Sequence, residues 1–415
     1  GSNVNFSGDT YVAYLFAHHD NDGSATGFGS DGDSPVISCG SYSGTGAAGN
    51  FIDLGFEPQW LMTKSATGSE NWIIQDNMRS MTDADYAWLR ANLSDAEIGG
   101  AFSGGTAAAR PTGFVINNTG TSNNGSGSTY IYMAIRRGSL FPPEDATKVF
   151  ALGTRGASTP GFTSNFPVDM FIRRYTTGSG YPDIGSRLTG AKAMQTSENF
   201  AEGNDSSSTF DHMNGYYNSS SADSNHFSWM WKRAPSYFDV VTYTGNSTNN
   251  TEIKHNLGVV PEMVWTKQRN TDARNWAVYH SALGNTNTLT LDTNAIAEDN
   301  SAGMYSTPTA TSLFLKASNM VNANGAGYIM YLFATVAGVS KVSSVVHSGT
   351  TNVDAGFSNG SRFVLLKRTD ATGDWLTWDG TRGIVSGNDP YLALNSTAAE
   401  VTNTDYIDPL SSGFT

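Results

Sequence analysis

Residues 328–334 read YIMYLFA. The run is short, apolar and aromatic, and it alternates poorly. A strand covered on both faces reads this way. The preceding NANGAG, residues 322–327, is turn material. The same passage opens the chain, where NVNFSGDT (3–10) leads into YVAYLFA (11–17). It returns as NNGSGST (123–129) into YIYMAIR (130–136). A worn copy is FSWMWK, residues 227–232. The four copies start at Tyr11, Tyr130, Phe227 and Tyr328, so the steps are 119, 97 and 101 residues. One strand used four times at roughly hundred-residue intervals predicts a tandem array.

Composition fits an all-β reading. Of 415 residues 38% are hydrophobic and 15% charged, with 45 Gly and 12% aromatics. That aromatic content argues against disorder, which lacks material for a core. A net charge of −13 argues against nucleic acid as a ligand, because phosphate binding needs clustered Lys and Arg. The single Cys39 excludes an intrachain disulfide framework. No run of eighteen apolar residues is present, so no membrane insertion is expected.

The periodicity divides the chain into four β-sandwich-like modules: 1–137, 138–233, 234–336 and 337–415. The first carries the Asp-rich loop HHDNDGSATGFGSDGDS at 18–34. Its Asp20, Asp22, Asp31 and Asp33 are candidate oxygen ligands for Ca2+, although the spacing is not that of an EF-hand. A solvated turn is the simpler account of it. Residues 83–92, DADYAWLRAN, predict one short helix, with Asp83 or Thr82 as cap and Tyr86, Leu89 and Leu93 on one face. The second module is the divergent one. The third repeats the plan of the first as IKHNLGVVPEMVWTK (253–267) and NWAVYH (275–280).

Two positions recur. Lys64, Lys267 and Lys367 end a middle strand, and Trp72, Trp276 and Trp375 follow eight or nine residues later. A Lys beside an indole suits an anionic glycan. A shared core explains the recurrence better: Trp fills the sandwich and the Lys stem packs beside it with its ammonium in water. Asp76/Arg79 and Asp379/Arg382 read as turn-closing ion pairs. Receptor contacts belong on loops that differ between modules. The candidates are the loop before 102–110 and DHMNGYYN (211–218), whose Tyr216, Tyr217 and His212 are placed to stack on a sugar ring.

HNLGVVPEMVWTK, NWAVYHSALGNT, LNSTAAEVTN and GAGYIMYLFA together resemble the repeat modules of marine, cyanophage-like bacteriophage tail fibre and tail proteins. YIYMAIRRGSLFPP and FSWMWKRAPSYFDVV resemble the junctions between those modules. The resemblance covers nearly the whole chain. It implies a virion appendage, outside the cell, that adheres to host cell-surface carbohydrate and joins other tail proteins or copies of itself as a homo-oligomer. It implies no catalytic residues and no required cofactor. No Ser nucleophile elbow, HExxH or Cys/His cluster is present, so an enzyme is not expected. A glycan depolymerase is the catalytic alternative and would need paired carboxylates in a groove. The fourth module reads as lacking its aromatic strand, while 11–17 has no module before it. A fragment cut at a repeat boundary is the plain expectation. Head-to-tail strand donation between chains, building a filament, is the alternative.

Overall fold

The computed structural model describes residues 7–18, 32–83, 87–99, 107–299 and 303–415. Its regular structure is antiparallel β, with two single-turn 3-10 helices at Ala146–Lys148 and Ser281–Leu283. Three large sheets share one strand order. In the third unit that order is Phe238–Thr244, Gly327–Phe333, Met263–Gln268, Ala277–His280, Asn287–Thr290, Glu298–Asp299. The aromatic strand is therefore second in its sheet, bonded on both sides. Its counterparts are Thr129–Arg136 in the first unit and Asp223–Trp231 in the second. A small sheet covers one face, Thr251–Lys254 with Ser312–Leu315 in the third unit, and closes a sandwich.

This position explains the poor alternation of the quoted run. Tyr328, Met330 and Leu332 face the sandwich interior with Val264, Leu313 and Leu315. Ile329 and Tyr331 face the other way, into a second core shared between units. Both faces are dry, so neither position set can be polar. The turn before the strand also recurs in detail. The Tyr328 hydroxyl donates to Asn319 O at 2.9 Å and accepts the Ala323 amide at 2.8 Å. In the first unit the Tyr130 hydroxyl accepts the Gly125 amide at 2.8 Å and donates to Thr121 O. Asn322 and Asn124 then tie the turn to the residues after the first strand. Gly245 and Gly44 are needed where the two segments cross. A Cβ there would meet Ala323 O at 2.3 Å or Gly125 O at 2.2 Å.

Several expectations change. Residues 87–90 of the expected helix form the strand Ala87–Arg90, paired with Ile73–Asp76; Tyr86 lies outside the described residues. The apolar spacing suited a helix, but pairing buries Trp88 and leaves Leu93, meant for the apolar face, exposed. Tertiary pairing overrides propensity here. The worn copy is shifted by one residue. His226, not Phe227, opposes Tyr175 as Tyr328 opposes Gln268 and Tyr130 opposes Ser65. Residues 11–17, expected as a strand, lie outside every strand, with Val12 80% and Leu15 88% exposed.

The fourth unit is smaller: Phe363–Lys367, Trp375–Asp379 and Leu392–Ala393, covered by Val353–Asp354, Gly413–Phe414 and Pro409–Leu410. Among the described residues no strand pairs with Phe363–Lys367 on the side away from Trp375–Asp379. Residues 342–347, which take the place of the first strand, are not a strand, and Val346 is 90% exposed.

Two buried histidines give the fold an acid limit. His255 Nδ1 accepts the Leu257 amide at 3.3 Å while Nε2 faces Thr309 O at 3.3 Å, which fixes a neutral ring protonated on Nε2. Burial pulls its pKa down to about 4. His226, stacked on Tyr175 with centroids 4.4 Å apart, is likewise pulled to about 4 by burial and then by Arg173. Both rings bind a proton less readily folded than unfolded, where the value is about 6.5. Stability is thus complete above about pH 6.5 and falls as pH drops toward 4. Melting temperature is expected to decline through that window, and less steeply once His255 is replaced by Gln. A flat profile between pH 7 and 4.5 would contradict this.

Candidate functional site at the unit interfaces

The units are joined by a buried ion cluster. Arg233 follows the aromatic strand of the second unit and is fully buried. Its guanidinium grips Glu57 bidentately, at 2.8 Å to Oε1 and 3.0 Å to Oε2. Asp169 lies 3.6 Å and Asp239 3.7 Å away, and the Arg233 amide donates to Asp169 Oδ2 at 2.7 Å. Arg137, the residue after the aromatic strand of the first unit, reaches Glu57 at 3.3 Å and Asp239 at 3.5 Å. Arg187 bonds Asp169 at 3.2 Å. Three guanidiniums thus meet three carboxylates, and the cluster ties the first three units together. Burial alone would raise the Asp169 pKa, but Arg233, Arg187 and Arg137 outweigh it and hold it low. For Asp239 burial wins and the pKa is raised.

The recurring Lys and Trp form a second device. Trp276 of the third unit donates from Nε1 to Gln195 O of the second at 3.0 Å. Trp375 of the fourth donates to Thr290 O of the third at 2.9 Å. Gln195 and Thr290 hold the same register position, opposite Asp183 and Ala277. The second unit has Pro182 in place of the Trp, and there Arg174 Nη1 donates to Ala393 O of the fourth unit at 2.7 Å. The longer cation takes the carbonyl that the indole takes elsewhere.

Backbone bonds repeat the same cycle. Glu202 N donates to Arg269 O at 2.8 Å, Ala297 N to Thr369 O at 3.0 Å, and Glu400 N to Thr176 O at 2.9 Å. The third unit docks on the second, the fourth on the third, and the second on the fourth. These three units close a ring around one apolar core.

The lysines end inside this ring. Lys267 Nζ donates to Asn199 O at 3.2 Å and Arg274 O at 2.6 Å. Lys367 Nζ donates to Ala295 O and Gly373 O, both at 2.7 Å. The expectation of an ammonium in water fails for Lys267, which is fully buried; burial lowers its pKa to about 8. Likewise Trp276 and Trp375 are buried as expected, but between units rather than inside a sandwich. In the first unit, Lys64 and Trp72 are only half-buried, and Lys64 Nζ donates to its own turn, at Ser65 O (2.9 Å). Asp76–Arg79 and Asp379–Arg382 do close turns, with Nε–Oδ2 distances of 2.8 and 2.7 Å.

Tyr216, expected with Tyr217 and His212 to stack on a sugar ring, does not do so. It is fully buried, stacked on Phe171 at 4.2 Å, with its hydroxyl 3.1 Å from Ser228 Oγ. Strand alternation turns Tyr217 to the other face, where it and His212 are half-exposed, 6.3 Å apart. Of the Asp-rich loop, Asp20, Asp22 and Asp31 lie outside the described residues, and Asp33 is half-buried. Of the loop before 102–110, the part up to residue 99 is described, with Leu93 exposed, and residues 100–106 lie outside the described residues. Among the described residues no three His, Cys, Asp or Glu side chains are grouped to hold a metal ion. No helix there is long and apolar enough to cross a membrane. Asp183 and Asp205 line a cleft together with Phe200 and Asn204. Arg173 bridges both, at 3.4 and 3.1 Å. The pair thus reads as a structural ion triad.

Sequence reasoning missed Arg233 and Arg137. The signal was present: an Arg follows the aromatic strand in both YIYMAIRR and FSWMWKR. Asn92, Asp292 and Asn395 were missed too. Each accepts the backbone amide of its unit's Trp, at 3.0, 2.9 and 2.8 Å.

No curated protein and no solved structure matches the chain. One family model does, over residues 1–137 and 189–415, so the gap falls on the first half of the divergent second unit. With most of its length matched, the chain belongs to the family described as Domain of unknown function (DUF7483).

Proposed function

We propose that the chain is a non-catalytic structural subunit of an extracellular appendage of the phage tail-fibre type, whose copies join by strand addition while exposed loops adhere to host-surface carbohydrate. Two observations carry it together: among the described residues no strand pairs with Phe363–Lys367 on the side away from Trp375–Asp379, and residues 12–17 are exposed and outside every strand. Residues 11–17 share five of seven positions with 328–334. In the register of the third unit, Leu15 would take the place of Leu332, facing Val364 in the sandwich core. Tyr14 would take that of Tyr331, beside Trp375 in the ring core. An apolar strand suited to both faces is what such a slot requires. A contact of this kind is heterologous and does not close, so copies extend head to tail.

Light scattering over a concentration series tests the assembly. The intact chain is expected to grow with concentration, and Tyr14→Asp with Leu15→Asp to remove that growth without changing the circular dichroism. Growth that survives both substitutions would overturn strand addition. On a glycan array, binding without release of oligosaccharide is expected; release would favour the depolymerase alternative instead.

A further inference from the structure

We infer that three copies of this chain close a ring through the open face of their first units, repeating between chains the cycle that units two to four make within one. This goes beyond the reading above and does not need it. The first unit carries the same docking parts in the same register. Lys64 opposes Ile131 as Lys267 opposes Ile329. Trp72 is fixed by Asn92 as Trp375 is by Asn395. Asn92 further bonds Asn71 at 2.8 Å, matching Asn395 on Asp374 at 2.8 Å. Arg79 holds Glu97 at 3.3 Å as Arg382 holds Glu400 at 2.6 Å, so the loop after Asn92 is built like the loop that docks in the fourth unit.

What differs is cover. Ile131 is 42% exposed, whereas its counterparts Ile329 and Phe227 are buried. Leu93, on the docking loop, is exposed, and Met62, Ile74 and Met133 on the same sheet face are half-buried. An apolar sheet face with this exposure calls for a partner. The ring contacts identify that partner as the same face and loop of another copy. The register specifies the bonds. Trp72 Nε1 meets Arg90 O of the next copy, Glu97 N meets Ala66 O, and Lys64 Nζ meets the carbonyls of Ser94 and Asp95. Each contact is heterologous, and the internal example closes after three, so the assembly is a closed trimer.

The test uses the full chain carrying Tyr14→Asp and Leu15→Asp, which blocks strand addition. Analytical ultracentrifugation is expected to give three chain masses. Adding Ile131→Glu, or separately Lys64→Glu, is expected to return one chain mass with an unchanged circular dichroism spectrum; both side chains are at the surface of the isolated chain, and the second variant covers misfolding of the first. A single chain mass in the parent, or a trimer that survives both added substitutions, would overturn the ring. Oligomers of the intact chain that vanish with the strand substitutions alone would leave strand addition standing and remove the ring.

Discussion

Replacing Arg233 by Ala is expected to destabilise the chain by about 3–5 kcal/mol, the usual penalty for breaking a buried ion pair from one side. The reason is what remains. Glu57, Asp169 and Asp239 stay buried, with Arg137 and Arg187 as the remaining cations paired to them among the described residues. A loss of this size is a large share of the stability of a single domain, about 5–15 kcal/mol. Lys is expected to rescue poorly, because the bidentate grip on Glu57 needs the planar fork. The defect has a pH signature. Asp239, whose carboxyl burial already pushes up, then loses Arg233 as a balancing cation and binds a proton still more readily folded than unfolded, so the variant recovers toward wild type as pH falls and loses most as pH rises. Urea unfolding at pH 5 and pH 8 reads both effects. A loss under 1 kcal/mol, or an equal loss at both pH values, would show that the cluster does not hold the first three units together.

Trp276→Ala is expected to cost about 3–5 kcal/mol, the range for emptying a buried aromatic site. The indole is fully enclosed between the third and second units, near Tyr331 at 6.3 Å, and its Nε1 bond to Gln195 O is lost with it. The paired control is Trp72→Ala. Trp72 holds the same register position in the first unit but is only half-buried within one chain. Its loss in dilute solution is expected to be about 1–2 kcal/mol, in line with a smaller apolar area removed from water. Equal costs for the two would mean that the recurring Trp serves its own sandwich and not the contact between units. Trp276→Phe separates the contributions, since it keeps most of the apolar volume and removes the hydrogen bond with a small part of the ring. It is expected to recover more than half of the loss.

The repeat was legible because it rests on local chemistry. A strand buried on both faces must be apolar at every position, and Tyr with Asn and Gly before it fixes the turn; YIMYLFA and NANGAG state this in consecutive residues. Asp76/Arg79 and Asp379/Arg382 were legible for the same reason, since partners three residues apart need no knowledge of the fold. Residues 87–90 were misread as helix because an apolar spacing compatible with a helix is also satisfied when Ala87–Arg90 pairs with a neighbouring strand. Burial of Trp88 then decides the outcome. Tyr216 was misread because adjacent residues on a strand face opposite ways, and YY does not say which one turns inward.

The sequence by itself determined the all-β class, the repeating unit and its aromatic strand, because each depends on neighbours along the chain. Only the tertiary structure decided what the recurring Lys and Trp do. Lys267 and Lys367 meet carbonyls 68 and 72 residues away, and Trp276 meets one 81 residues away. The closing of three units into a ring, and the burial of Arg233 against Glu57 176 residues before it, have the same origin. A side chain's partner across an interface is set by how sheets pack in space, and that information is spread over residues too distant in sequence to form a pattern.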